Sequence, residues 1–162
     1  HGRHVGQPMR LLGAVADINT DQSMHMLKLL ESHYPDLAGL KLAVLGLAFK
    51  PGTDDVRESP AIGVARALVE RGARVTGFDP IARHAAAAVL PGAITFEDDL
   101  ERAIAGSDAI LLMTSWPEFR QLPDLIASMP VAPLLVDGRR FIPKTAVPRY
   151  LGIGLPLDSA AP

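Results

Sequence analysis

Lys50 and Arg57 lie in a single loop, Gly46-Leu-Ala-Phe-Lys-Pro-Gly-Thr-Asp-Asp-Val-Arg-Glu-Ser59. The apolar run Lys41–Leu45 before it reads as a buried strand. Pro60–Arg71 after it has helical spacing of apolar residues. A strand that enters a helix through a loop with two glycines, a lysine and an arginine is a place to hold a phosphate. Backbone N–H groups and the positive end of the helix dipole point into such a turn, and the two side chains add full charges. The competing reading is a solvated loop in which Asp54, Asp55 and Glu58 balance both cations. Gly46 and Gly52 serve either reading, as turn residues that tolerate unusual backbone angles.

Elsewhere the pattern alternates strands and helices. Strand 42–48 leads to helix 60–71, with Gly72 as its C′ residue. Strand 74–78 ends at Asp79-Pro80. The alanine-rich helix 81–90 is broken by Pro91-Gly92. A short strand at 93–96, a helix at 98–105, the apolar strand 109–113, a helix at 117–128 and a strand at 134–136 follow. A last short strand is expected near 152–154. Strands without period-2 alternation, separated by helices, imply an α/β domain with a parallel sheet covered on both faces. The expected architecture is a Rossmann-like doubly wound sheet of five or six strands. Residues 9–33 carry helical spacing and would place a long helix before it.

In such sheets ligands gather outside the carboxyl ends of the strands, where strand order reverses. With the usual order, the loops after the first and fourth strands flank that crevice, and the loop after the fifth lies beside them. They carry Phe49, Lys50 and Arg57; Thr114, Ser115, Trp116 and Phe119; and Arg139 and Arg140. Cations and aromatics converging on one edge suit a nucleoside diphosphate. Trp116 and Phe119 would stack a base or fill the core, and the core is the commoner fate. Asp79 stands where a dinucleotide-binding domain keeps its ribose-binding acid. It follows Gly46 by 33 residues, against about 20 in that fingerprint, so an Asp-Pro turn is the better reading. Ser59 before Pro60 reads as a helix N-cap.

Bulk properties narrow the field. The 162 residues suit one domain, and 48% hydrophobic with 21% charged residues is globular composition. A net charge of −2 disfavours general attraction to nucleic acid or acidic membranes. The absence of cysteine excludes disulfides, thiolate metal sites and a cysteine nucleophile within these residues. The five histidines have no metal-ligand spacing. Neither a membrane-spanning run nor a signal-peptide pattern is visible, and a soluble cytoplasmic protein is the default expectation. The chain opens without an initiator Met and reads as a piece of something longer.

The loop beginning at Gly46 resembles the signature loop of the C-terminal domain of the UDP-glucose/GDP-mannose dehydrogenase family, through Gly46, Phe49, Lys50, Asp55, Arg57, Glu58, Ser59 and Pro60. Asp79-Pro80, Thr114-Ser-Trp-Pro-Glu-Phe119 and Asp137-Gly-Arg139 are similar to further segments of that domain. Residues 11–22 resemble the end of the family's central helix. The likeness covers about residues 8–154. It implies that 1–36 is the C-terminal part of a central dimerisation helix, 40–154 a nucleotide-sugar-binding domain and 155–162 a loose tail. It also implies roles. Phe49 and Lys50 contact the nucleotide sugar, Arg139 reaches the substrate of its own or, in family dimers, of the neighbouring subunit, and Arg57 faces NAD across a domain cleft. Arg140 has less support, because the family often places asparagine there.

The family oxidises a sugar C6 alcohol twice, to the acid, with NAD bound by an N-terminal Rossmann domain and a cysteine as nucleophile. Neither that cysteine nor a G-x-G-x-x-G motif is present here. The implied reading is a UDP-sugar-binding domain that binds but does not catalyse alone, partnered by an NAD domain and a second copy through the central helix. Two alternatives stay open: a stand-alone nucleotide-sensing or dimerisation module, and an NAD-binding domain serving another substrate.

Overall fold

The computed structural model describes residues 24–155. The expected helix 9–33 lies outside the described residues up to residue 23, as does the tail from 156. Six parallel strands form one sheet in the order β3-β2-β1-β4-β5-β6. They are β1 (Lys41–Leu45), β2 (Arg74–Phe78), β3 (Thr95–Phe96), β4 (Ala109–Leu112), β5 (Leu134–Asp137) and β6 (Tyr150–Gly152). This is the doubly wound Rossmann order, with its reversal between β1 and β4. All residues of β4 and β5 are buried, which requires cover on both faces and accounts for their uninterrupted apolar runs.

Helix α1 (24–33) buries Met26, Leu27, Leu29 and Leu30 against the sheet. Its C-terminal end is clasped by Arg149. That guanidinium lies 2.6 Å from His33 Nε2 and donates to the Tyr34 hydroxyl and the Ala132 carbonyl, both at 3.2 Å. Helix α2 (Pro60–Glu70) opens on Ser59, whose hydroxyl accepts from the Ala61 N–H at 3.3 Å. Such a cap is worth about 1 kcal/mol. Gly72, at φ +80°, ends the helix in the left-handed conformation expected of a C′ glycine.

Several elements differ in their bounds from the sequence expectation. Helix α3 runs Arg83–Val89 and does not begin at Ile81, because Asp79 takes the N–H groups of Ile81 and Ala82 into a turn. Helix α4 (Leu100–Ile104) is capped by Asp99. The stretch 117–128 divides into a 3-10 helix (Pro117–Gln121) and α5 (Leu122–Ala127). Pro123 has no N–H to donate and so fits only the first turn of an α-helix. The last strand begins at Tyr150, two residues earlier than periodicity suggested, since pairing with Leu135–Asp137 selects the register.

Candidate functional site

The carboxyl ends of β1, β2, β4 and β5 make one built edge, and the residues following each strand tie it together. Gly46, directly after β1, has φ +84° and donates to the Phe78 carbonyl at 2.8 Å. A Cβ on it would stand 2.6 Å from Thr114 Cβ and 2.8 Å from Thr114 N. The loops after β1 and β4 therefore touch at backbone distance. The glycine supplies both the left-handed angle and the missing side chain that this contact demands. Thr114 spends its one hydroxyl proton on the Ala48 carbonyl at 2.8 Å. The switch-point edge therefore has a closed floor.

Asp79 is buried and is the centre of this floor. Its Oδ2 accepts from Leu47 N at 2.8 Å, Ala48 N at 3.0 Å and Trp116 Nε1 at 3.1 Å. Its Oδ1 accepts from Ile81 N at 2.9 Å and Ala82 N at 2.7 Å. A carboxylate saturated by five N–H donors has nothing left for a ribose hydroxyl. With no Gly-rich fingerprint on the β1 turn, this edge does not fit NAD in the manner of a dinucleotide-binding Rossmann domain. Trp116 and Phe119 are both buried, and the Phe119 ring packs 6.1 Å from Phe78. The core reading of these two aromatics holds and the stacking one does not.

Above the floor, the chain leaves β1 as a loop closed at its base by Phe49 N–H donating to the Asp55 carbonyl at 2.8 Å. Pro51-Gly52, with Gly52 at φ +81°, has the residue pattern of a type II turn. Val56 anchors the far end of the loop in the core. Phe49 is 49% exposed, high for a phenylalanine and consistent with a surface that something else covers. Lys50 is exposed, with no hydrogen bond or ion pair among the described residues. Arg57 grips the Asp55 carboxylate through Nε and Nη2, at 3.0 and 2.8 Å. That pair holds the Asp55 pKa down at about 2. An open depression of about 470 Å³, lined by Thr53–Arg57 and Ala85, lies beside this pair.

The loop after β5 is organised by a second buried carboxylate. Asp137 accepts from Arg139 N at 2.8 Å, Ile142 N at 2.9 Å and the Tyr150 hydroxyl at 3.2 Å. Burial, with Asp137 beside it, pushes the Tyr150 phenol up to about 12. Arg140 takes φ +52° to complete the turn, a conformation that asparagine adopts readily. Arg139 Nε donates to the Met113 carbonyl at 2.5 Å, and Met113 N in turn donates to Leu45 O at 2.8 Å. The Arg139 guanidinium is thus tied to the residue that follows β4. Its four remaining N–H donors have no partner among the described residues.

Phe49 and Lys50 thus follow β1, Arg139 follows β5 and is tied to Met113 at the end of β4, and Arg57 lies beyond the turn, paired with Asp55. Sequence reasoning placed Thr114 on the ligand edge without giving it a role, and it read Asp79 as a turn residue without foreseeing its tie to the β1 loop. An aspartate closing a strand, as at Asp79 and Asp137, is the available signal for a side chain that folds back onto the backbone. Among the described residues no group of three or more His, Asp or Glu side chains could hold a metal ion. No helix among them is long and apolar enough to cross a membrane.

Comparison with known proteins adds an independent finding. A family model described as the UDP-glucose/GDP-mannose dehydrogenase family, UDP binding domain, matches residues 43–144. The UDP-glucose 6-dehydrogenase AglM of Haloferax volcanii is 44% identical over 140 residues, covering 86% of this chain and 32% of that protein. The UDP-glucose 6-dehydrogenase of Rhizobium meliloti is 42% identical over 155 residues, covering 92% of this chain and 35% of that protein. A UDP-glucose dehydrogenase structure from Pyrobaculum islandicum superposes with a TM-score of 0.78 at 35% identity, over 93% of this chain and 34% of that one. A ternary complex of GDP-mannose dehydrogenase from Pseudomonas aeruginosa gives a TM-score of 0.73 at 28% identity, over 93% and 35%. The chain spans about a third of the length of these relatives.

Proposed function

The chain belongs to the UDP-glucose/GDP-mannose dehydrogenase family and carries its UDP binding domain, and from that premise we propose that it holds the diphosphate of a UDP-sugar for an NAD-dependent 6-dehydrogenase. The observation that carries this reading is Arg139. Its Nε is anchored on the Met113 carbonyl and its other donors are unspent, on the edge where Lys50 also stands unpaired. A guanidinium fixed at one nitrogen loses little freedom when its fork meets a phosphate, and a lysine on the same sheet edge adds a point charge. Phe49 covers the sugar or base side of the pocket.

Two named relatives favour UDP-glucose as the sugar nucleotide and a 6-dehydrogenase that takes it to UDP-glucuronate. NAD is held by a separate N-terminal domain. The open depression beside Arg57 fits a broad domain surface better than an enclosed small ligand. Helix α1 (24–33) belongs to the family's central helix, which pairs two copies in the cytoplasm. These 162 residues bind and do not catalyse alone.

The test is calorimetric titration of the chain with UDP, GDP and NAD, repeated with Lys50→Ala and Arg139→Ala. UDP binding that exceeds GDP and NAD and weakens about tenfold in each variant is expected. Preferential NAD binding, or UDP binding indifferent to both substitutions, would overturn the reading.

A further inference from the structure

Asp79 and Thr114 hold opposite sides of the two residues that lead into Phe49 and Lys50. Asp79 Oδ2 accepts the N–H groups of Leu47 and Ala48, at 2.8 and 3.0 Å. Thr114 Oγ1 donates to the Ala48 carbonyl at 2.8 Å. Both side chains are at most 3% exposed, so neither reaches a ligand above the floor. We propose that Asp79 and Thr114 are positioning residues that fix the backbone ahead of Lys50, so that the phosphate-binding loop is ordered before ligand arrives. The proposal rests on the UDP-sugar reading of that loop.

The donor set explains why the position holds aspartate. Five N–H groups from three loops face the two oxygens: two from the β1 loop, two from the turn after β2, and the Trp116 indole from the loop after β4. Asparagine is nearly the same size but must turn its NH2 group toward one set of donors. If its oxygen keeps the Ile81 and Ala82 turn, as Asn side chains commonly do, the NH2 confronts Leu47, Ala48 and Trp116. The β1 loop is then released while the turn survives. Ordering that the wild-type loop has already completed must be supplied on binding in the variant, and affinity falls by that amount.

Amide hydrogen exchange tests the clamp without ligand. In Asp79→Asn, exchange at Leu47 and Ala48 rises by about tenfold or more while the Ile110–Leu112 amides of β4 stay protected. Thr114→Val acts in the same direction with a smaller rise, and carries the test if Asp79→Asn does not fold. Titration with UDP then separates positioning from general destabilisation. Asp79→Asn weakens UDP about tenfold alone, yet by less than about twofold when Lys50 is already alanine. Folded variants with unchanged exchange at 47–48, or losses that multiply fully with Lys50→Ala, would overturn the proposal. A wild-type chain that ignores UDP would sink the functional reading instead, while the exchange data still decide whether the clamp exists.

Discussion

Arg57 and Asp55 form a two-point ion pair, Nε to Oδ1 at 3.0 Å and Nη2 to Oδ2 at 2.8 Å, two residues apart on the rim of the β1 loop. The arginine that the family resemblance turns toward NAD is engaged within its own loop. Reaching another domain would mean sharing or leaving Asp55. The pair is exposed to solvent, so salt weakens it.

The Asp55 carboxyl should titrate at about 2, against an ordinary 3.8. Its folded pKa is depressed. Whatever the pair contributes is fully present above the ordinary value and fades as pH falls through 3.8 toward 2. Carboxyl carbon NMR will follow this directly. In Arg57→Ala the titration should return toward 3.8. An unchanged Asp55 curve in that variant would show that Arg57 does not cause the shift.

Trp116 is the only tryptophan in the chain, it is buried, and its indole donates to the carboxylate that holds Leu47 and Ala48. Its emission should be blue-shifted and poorly quenched by iodide. Adding UDP should alter its intensity, because the β1 loop and the indole share Asp79 Oδ2. In Lys50→Ala the change should require about tenfold more UDP. Emission at the wavelength of free tryptophan would contradict the burial.

Gly46 and Gly52 have almost the same backbone angle, φ +84° and +81°, in different surroundings. A Cβ at Gly52 meets nothing within 4 Å, whereas one at Gly46 strikes Thr114. Gly52→Ala should cost about 1 kcal/mol, the left-handed strain alone. Gly46→Ala should cost more than about 2 kcal/mol, because the loops after β1 and β4 must also part. Urea unfolding distinguishes them, and equal losses would refute the close contact.

His33 carries a pH dependence. Its Nε2 lies 2.6 Å from an Arg149 nitrogen, and arginine can only donate. The imidazole must therefore accept, protonated on Nδ1 and neutral overall. Burial first, and the Arg149 charge second, lower its pKa from 6.5. The unfolded chain then binds the extra proton more readily. Stability should decline as pH falls below 6.5, with the full loss reached below the depressed folded value. His33→Gln, which still offers an acceptor, should flatten the unfolding midpoint between pH 7 and pH 5. An equally steep variant would assign the decline elsewhere.

The layered α/β order was legible because its signals are local. Short apolar runs such as Ala109–Leu112, bounded by turn signals, read as central strands, and Pro60–Glu70 shows helical spacing behind a serine cap. The motif around Phe49 and Lys50 was equally legible, as a string of residue types. Element ends were less so. Where α3 begins depends on Asp79 capturing two N–H groups, and where β6 begins depends on β5.

Sequence alone determined the strand and helix order, the family and the loop that carries the cations, since each is written in neighbouring residues. Tertiary structure alone decided what those residues do to one another. Asp79 turns inward to Leu47 and Ala48, more than thirty residues away, Trp116 serves as a donor and not a stacking plate, and Arg139 is tethered to Met113. The physical reason is that a hydrogen-bonding group buried by folding must find a partner. Which partner stands within 3 Å is settled by the strand order, which brings β2 and β4 to either side of β1.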